Sequence, residues 1–207
     1  HRCSVNAVLI GSVSSSEAAL RGMLRGGLPL AGVLGLHERH AAAVGDYRNL
    51  RPLAESAGVP YLAFDKIREP GVRMFLESVR PDWLFIIGLS QLIPADLRDL
   101  ARAGAVGFHP TLLPEWRGRA PVAWTILLDR PAAANLFFLT DEPDAGDLIA
   151  QRRVPVLPDD YACDLIERTN VASTRAFEKA AYASVADVVD ARMGLASRLI
   201  VRPPGPE

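Results

Sequence analysis

Residues 81–94 read PDWLFIIGLSQLIP, and the apolar run from Trp83 to Ile87 within them decides the fold class. A strand that is covered on both faces reads as an unbroken apolar run, because neither face meets water. Asn6–Gly11 (NAVLIG), Leu30–Leu36 and Tyr61–Phe64 have the same character and are also predicted strands. The sequence therefore predicts a parallel sheet buried between two layers of helices.

Amphipathic segments separate these strands, and Ala105–His109 adds another strand. Serines at 14–16 can cap the first helix, Gly58 can close the second, and Pro70 suits the first turn of the third. The predicted helices are Glu17–Arg25, Asn49–Ala57, Pro70–Val79 and Pro94–Arg102. This alternation indicates an α/β fold, a Rossmann-like, doubly wound, mostly parallel sheet with helices on both faces.

The alternation of apolar strands with amphipathic helices stops after His109, where a proline-rich loop, Pro110–Pro121, begins. We expect the remaining elements to form an added half that carries loops. They are a helix over Val122–Leu128, strands over Asn135–Leu139 and Ile149–Val156, a helical region over Tyr161–Val189, and a short strand over Ser197–Val201. The predicted organisation is one catalytic domain over residues 1–202 and a disordered tail over residues 203–207.

Composition restricts the class of protein. The chain has 207 residues and a formal net charge of −1, so it lacks a global basic field for nucleic acid or anionic lipid. Cys3 and Cys163 match no metal-ligand spacing, which favours a reduced, cytoplasmic protein without a metal. We expect no membrane span, since no segment reaches roughly 18 uninterrupted apolar residues, and no signal peptide, since strand-like sequence starts almost at once.

His109 is the first candidate for chemistry. It ends a predicted strand, and ligands of open α/β sheets collect beyond the carboxyl ends of strands. A histidine there can donate a hydrogen bond or a proton near neutral pH. The alternative is a loop histidine that only ties down the backbone, and position alone leaves both interpretations open.

Three further segments are candidates. Thr140–Asp147 (TDEPDAGD) is either a solvated acidic turn, a hard-cation site or the place of one catalytic carboxylate, and it does not match the calcium-loop pattern. Arg117-Gly118-Arg119 either clamps an anion or is solvated. Gly11–Ser16 (GSVSSS) could receive a phosphate at a helix N-terminus, but a plain turn before a capped helix suits it better, since the fingerprint glycines and a lysine are missing.

Together these pieces resemble the folate-dependent formyltransferases, the family that includes glycinamide ribonucleotide transformylase, methionyl-tRNA formyltransferase and the sugar N-formyltransferases. The resemblance is carried by Gly107–Trp124 (GFHPTLLPEWRGRAPVAW), Asp141–Ile149 (DEPDAGDLI) and residues 81–94, and it covers about residues 6–160 in the right order. The paired His-Pro-x-x-Leu-Pro and Asp-x-Gly-Asp motifs are its most specific parts.

The resemblance implies that His109 and Asp144 are catalytic. In the family an Asn, a His two residues later and a distant Asp act on the tetrahedral oxyanion that forms when an amine attacks the formyl carbon. The His stabilises the oxyanion, and the Asp holds the His and helps the amine lose its proton. The family's Asn falls on Gly107, which has no side chain. An Asn placed there would either restore a donor in open space or block a bound ligand.

The resemblance also implies the ligands. The formyl donor would be 10-formyltetrahydrofolate, without a metal. The residues implied to hold the reduced folate are Ile87, Gly88, Leu89, Ser90, Gln91, Leu92, Ile93, Asp141 and Glu142. Gly107, Arg117, Gly118 and Arg119 would lie at the acceptor side. The expected partners are these small molecules and neither nucleic acid nor membrane, while a homodimer is left open.

The acceptor is predicted to be a primary amine of a small molecule. Glycinamide ribonucleotide transformylases carry an Asn/Gly-rich phosphate loop after the first strand, where this chain reads GSVSSS. That difference favours an amino sugar bound to a nucleotide, or another secondary metabolite. The alternatives are a glycinamide ribonucleotide or methionyl-tRNA type of formyltransferase, a formyltetrahydrofolate hydrolase, and a catalytically impaired folate-binding homologue.

Overall fold

The structure is a computed structural model, and it describes residues 5–176. The strands are β1 (Ala7–Ile10), β2 (Leu30–Leu36), β3 (Tyr61–Phe64), β4 (Trp83–Ile86), β5 (Gly104–Thr111), β6 (Ala132–Phe138) and β7 (Leu148–Val154). The helices are α1 (Ser14–Arg25), α2 (Arg51–Ser56), α3 (Pro70–Val79), α4 (Ala95–Arg98), α5 (Pro121–Leu127) and α6 (Ala162–Ala176), with a 3₁₀ turn over Glu38–His40.

The strands form one sheet in the order β3-β2-β1-β4-β5-β6-β7. Neighbours from β3 through β5 pair in parallel, whereas β6 runs antiparallel to β5, and β7 antiparallel to β6. The chain first builds outward from β1 to β3 and then restarts at β4 on the other side of β1. The loops after β1 and β4 therefore flank the switch point, where open α/β sheets bind ligands.

Two apolar clusters cover the two faces of the parallel half. Alternate residues of β1 divide between them: Leu9 joins the cluster under α1, and Val8 joins the cluster under α3 and α4. Val8, Leu9, Phe85 and Leu84 are all fully buried. Burial on both faces explains the unbroken apolar runs, and the predicted Rossmann-like, doubly wound fold with helices on both faces is confirmed.

A third cluster joins α6 to the antiparallel half. Leu165 and Ala172 of α6 pack on Ala134 of β6 and Val154 of β7. The same helix lies along α1, where the Asn170 amide donates to the Ser14 hydroxyl over 2.8 Å. The added half is thereby fixed against the first.

Several predicted boundaries differ from the structure. The predicted helix Pro94–Arg102 ends at Arg98, because the chain turns to donate backbone hydrogen bonds from residues 102 and 103 to residues 81 and 82. Strand β5 continues through Pro110 to Thr111, because β6 begins at Ala132 rather than Asn135 and pairs with it. The 3₁₀ turn was not predicted.

Some predictions lie outside the described residues: the helical region beyond Ala176, the strand Ser197–Val201, the tail over residues 203–207, and Cys3. Within residues 5–176, no helix combines the length and apolar character needed to cross a bilayer.

Candidate active site

His109 lies near the end of β5 with its side chain buried. Its Nε2 atom is 3.2 Å from the carbonyl oxygen of Trp116, which also accepts a hydrogen bond from the Thr111 hydroxyl. A carbonyl oxygen can only accept, so Nε2 carries the hydrogen in this arrangement. The loop that follows β5 thus turns back onto the histidine and leaves Nδ1 as its free acceptor.

Asp144 is the group that this free nitrogen faces. Its Oδ2 lies 3.7 Å from His109 Nδ1, and the same oxygen accepts a hydrogen bond from the backbone N–H of Gly118 over 3.1 Å. The backbone of Asp144 is left-handed, with φ 55°. The structure thus brings together the two residues predicted to be catalytic, together with Gly118 from the predicted acceptor side.

Burial lowers the pKa of the His109 imidazole, and the Asp144 carboxylate and the Trp116 carbonyl act in the opposite direction. Burial dominates because it removes the water that would solvate the charged ring. The neutral form is therefore favoured at neutral pH. A neutral ring with its hydrogen on Nε2 offers a lone pair toward Asp144, so the gap between them suits a group that donates hydrogens to both.

The loop that carries Asp144 closes at its base through backbone pairing. The N–H of Phe138 donates to the carbonyl of Asp147 over 3.0 Å. At Gly146 the carbonyl oxygen of Phe138 comes so close that an added Cβ would lie 1.6 Å from it. Only glycine allows this approach, so the glycine of the DAGD motif sets the closure of the loop.

Two of the other carboxylates in the acidic loop, Asp141 and Glu142, have arginine partners. Arg98 of α4, largely buried, donates to the Asp141 carboxylate and to the Thr140 carbonyl. Arg117 lies 3.4 Å from Glu142. The acidic loop is therefore tied to α4 on one side and to the loop after β5 on the other. Arg98 was missed by the sequence analysis, since an arginine in a short helix carries no local signal.

Arg117 and Arg119, predicted to lie at the acceptor side, are both exposed in the loop between β5 and α5. Arg117 is engaged by Glu142, whereas the Gly118 between them contributes its backbone N–H to Asp144. The structure thus connects this tripeptide to the acidic loop through Arg117 and Gly118.

The segment predicted to hold the folate follows β4 at the switch point. Ile87 is fully buried in the core, and its carbonyl accepts a hydrogen bond from Ser16 over 2.5 Å. Gly88 has φ 65°, and the side chains of residues 13, 15 and 16 cover it. The loop after β4 is thereby fastened to the loop after β1.

The rest of that segment divides between exposed and half-buried positions. Ser90 and Leu92 are exposed, while Leu89 and Ile93 pack against the same apolar cluster as Leu139. The amide of Gln91 is bonded to the backbone, since it accepts from the N–H of residue 67 and donates to the carbonyl of residue 65. Gln91 therefore fixes the path of the loop.

Gly107 lies on β5 two residues before His109, so both positions face the same side of the sheet. A Cβ at Gly107 would lie 2.7 Å from Leu139 Cδ2 and 2.9 Å from Phe137 Cζ. Both alternatives in the sequence analysis, an open space and a ligand-filled space, assumed room at this position. The structure fills it with apolar side chains of the protein itself.

A buried amide beside His109 was not predicted. Asn135 of β6 is the register partner of His109, and its side-chain nitrogen donates to the carbonyls of His109 and Thr111. Gln151 of β7 donates to the Asn135 oxygen over 2.7 Å and to the Leu113 carbonyl over 2.9 Å. The signal in the sequence was the single polar residue in the apolar run AAANLFF, because a buried amide needs partners.

A cleft of about 340 Å³ lies at the opposite end of β5 from His109. Its walls come from α4 and the turn after it, from the start of β5 and from the base of the acidic loop, including Arg98, Gly104, Leu139 and Thr140. The predicted folate residues do not line it, but Leu139 belongs both to the cleft and to the cluster that contains Leu89 and Ile93. Among residues 5–176, no group of three or more His, Cys, Asp or Glu side chains is placed to hold a metal.

This chain is similar in sequence to known proteins. The family model described as "Formyl transferase" matches residues 39–181. A methionyl-tRNA formyltransferase of Geotalea uraniireducens is 31% identical over 128 residues, which are 61% of this chain and 41% of that protein. One from Anaeromyxobacter dehalogenans is 30% identical over 162 residues, covering 77% of this chain and 52% of that protein. The chain therefore spans about half the length of such relatives.

Solved structures share the fold. A phosphoribosylglycinamide formyltransferase of Anaplasma phagocytophilum superposes with a TM-score of 0.69 at 23% identity, covering 84% of this chain and 83% of that chain. A sugar N-formyltransferase of a Shewanella species gives 0.64 at 15% identity, with coverages of 91% and 71%. A formyltetrahydrofolate deformylase of Pseudomonas syringae gives 0.73 at 19% identity, with 91% and 63%.

The matched region contains His109, the loop after β5 and the whole acidic loop with Asp144. The extent of that match, together with the sheet topology, shows that this chain belongs to the formyl transferase family.

Proposed function

We propose that this protein transfers a formyl group from 10-formyltetrahydrofolate to a primary amine of a small molecule. The observation that carries the proposal is the pairing of His109 Nδ1 with Asp144 Oδ2 across 3.7 Å, beside the switch point of the sheet. An acceptor amine arrives protonated near neutral pH and must lose a proton before it can attack. A neutral imidazole and a carboxylate that face one another are suited to remove it.

The two residues have separate tasks in this scheme. Asp144, held by the N–H of Gly118, attracts the ammonium and keeps it in place by a charge-assisted hydrogen bond. His109 accepts a proton at Nδ1, while the Trp116 carbonyl keeps the Nε2 hydrogen and the ring orientation. The pair thus generates the free amine beside the donor, and 10-formyltetrahydrofolate supplies the formyl group when bound.

The residues present fit a flat, partly polar donor. Leu89, Ile93 and Leu139 are partly buried apolar residues that pack against the same core cluster, the first two from the loop after β4 and the third from the start of the acidic loop. Small-molecule sites combine apolar residues with a few polar groups that fix orientation. Here Arg98 holds the Asp141–Thr140 edge of the acidic loop in place. We infer that residues 87–93, with Asp141 and Glu142, contact the reduced folate.

For the acceptor, we favour an amino sugar bound to a nucleotide or another secondary metabolite over glycinamide ribonucleotide. The amino end of α1 lies where the glycinamide ribonucleotide type has its phosphate loop. In this chain the Asp46 carboxylate occupies that end, accepting from the N–H and hydroxyl of Ser14 and pairing with Arg48 at 3.2 Å. A phosphate would have to displace this carboxylate, which supports an acceptor without a phosphate at that position.

The test is incubation with 10-formyltetrahydrofolate, with and without candidate amines. Formyl transfer that needs an amine supports the proposal. Formate release without an amine would instead assign a hydrolase reaction, and the Pseudomonas syringae neighbour is named for that kind of activity. Folate binding without turnover would assign the impaired homologue. The amines should include amino sugar nucleotides and glycinamide ribonucleotide. Methionyl-tRNA should also be included, because the similar sequences are named methionyl-tRNA formyltransferases.

A further inference from the structure

The amides of Asn135 on β6 and Gln151 on β7 lie side by side, next to the position of His109 on β5. Asn135 is paired in register with His109 on one side and with Gln151 on the other. Opposite residues of antiparallel strands place their side chains on the same face. The row therefore extends directly from the strand position that carries His109, and we refer to Asn135 and Gln151 together as the amide row.

The amide row holds alternate carbonyls of the segment that leaves His109. Asn135 donates to His109 O over 2.6 Å and to Thr111 O, and Gln151 donates to Leu113 O over 2.9 Å. The pairing of β5 with β6 shifts register between His109 and Thr111, where Pro110 has no N–H to offer. Side-chain donors thus fix the peptide planes on both sides of this irregularity.

The segment held in this way determines the orientation of the imidazole. It leads to Trp116, whose carbonyl returns to His109 Nε2 and to the Thr111 hydroxyl. If the peptide planes at His109 and Thr111 rotated, both the Cα–Cβ direction of the histidine and the acceptor for its Nε2 hydrogen would move. Asn135 is only 1% exposed, so water cannot replace its hydrogen bonds in the folded chain.

We propose that Asn135, supported by Gln151, is the positioning residue that holds His109 with Nδ1 facing Asp144. The Asn135 nitrogen is committed to main-chain carbonyls, so it does not reach a substrate and acts only through His109. The proposal rests on the proposed function, in which His109 accepts the proton of the amine. Misplacing a reacting group by about 1 Å can lower the rate on the order of a hundredfold.

The test compares Asn135→Leu and Gln151→Leu with the matched control Asn6→Leu in the full chain. Asn6 is also an amide that ties two backbone segments, through Val79 O and the N–H of Asp82, but at the amino end of the sheet. Nitrogen NMR of the imidazoles, with His109 assigned by its loss in His109→Gln, reports the tautomer and pKa of the ring without turnover. Initial rates of formyl transfer give kcat and KM.

We expect both row variants to lose the dominant Nε2–H tautomer of His109 and to lower kcat by roughly tenfold to a hundredfold, with KM little changed. Asn135→Ser, whose hydroxyl can donate to one carbonyl, should recover part of the loss. Asn6→Leu should lower only the unfolding temperature. An unchanged His109 signal and unchanged kcat in a folded row variant would overturn the proposal.

If Asn135→Leu does not fold, the measurements on Gln151→Leu alone test the proposal, because Gln151 is only half-buried. If no amine is formylated, the NMR readout still decides the positioning role, so failure of the proposed function is distinguishable from failure of this inference.

Discussion

His109 Nδ1 faces Asp144 Oδ2 across 3.7 Å, too far for a direct hydrogen bond but near enough for one donor group to reach both atoms. Because the imidazole hydrogen is on Nε2, both atoms that face the gap, His109 Nδ1 and Asp144 Oδ2, are hydrogen-bond acceptors. A protonated amine can donate a hydrogen bond to both atoms, whereas a carbonyl oxygen has no hydrogen to donate to either.

The first prediction concerns the pair itself. His109→Gln and Asp144→Asn should each lower kcat on the order of a hundredfold or more, since a pre-organised polar group contributes about 2.7–4 kcal/mol at a developing charge. The double variant should be little worse than either single one, because the two residues act as a unit. Steady-state kinetics checks this, with the exposed Glu38→Gln as control. Near-normal kcat in either variant would remove that residue from the assignment.

The second prediction concerns activity and pH. Burial lowers the pKa of His109 below its ordinary 6.5, and the neutral ring is the active form. Activity should therefore persist at pH 6.5 and fall only at lower pH, as the folded protein's imidazole takes up a proton. The pH dependence of kcat/KM reports this limb for the free enzyme. A fall that begins well above pH 6.5 would contradict the role of neutral His109.

The same shift predicts a pH dependence of stability. The unfolded chain protonates His109 near pH 6.5, whereas the folded chain resists protonation until a lower pH. Below about pH 6.5 the unfolded state therefore binds more protons, and the free energy of unfolding falls as the pH falls toward the folded-state pKa. His109→Gln should show a shallower decline over this window in urea titrations. Equal slopes for the two proteins would mean that folding does not lower the pKa of His109.

The fourth prediction concerns Gly107. Gly107→Asn should not restore the family's missing donor, because its side chain meets Leu139 and Phe137 within 3 Å at the first carbon. We expect a loss of about 1–3 kcal/mol in the free energy of unfolding, as for other overpacked core positions. Adding Leu139→Ala should recover part of that stability. A single variant with normal stability and higher kcat would show that the space is open after all.

The fifth prediction concerns Arg98. Arg98→Met keeps the length of the side chain but removes its hydrogen bonds to Asp141 and the Thr140 carbonyl. The acidic loop should loosen at the end that we assign to the folate, so KM for the donor should rise more than kcat falls. The matched control is Arg73→Met, which breaks the ion pairs of this α3 arginine with Glu77 of the same helix and with Asp96 of α4. Equal effects of the two variants would mean that Arg98 has no special role.

The parallel half was predicted well from the sequence. Strands such as Trp83–Ile86 are buried on both faces, so every residue in them is apolar. The sequence predicted β6 less well, because Ala132–Ala134 are small residues with low strand propensity that are held there by pairing with β5 and β7. It placed His109 and Asp144 through motifs. It could not place Asn135 or Arg98, whose roles depend on contacts with distant segments.

The left-handed backbone at Asp144 has a consequence for which replacements the position can accept. Glycine, asparagine and aspartate are the residues that adopt φ near 55° readily, and of these only aspartate carries a negative charge. A glutamate would keep the charge but strain the main chain, whereas an asparagine would keep the conformation and lose the charge. No replacement at residue 144 therefore preserves both the negative charge and the left-handed main-chain conformation.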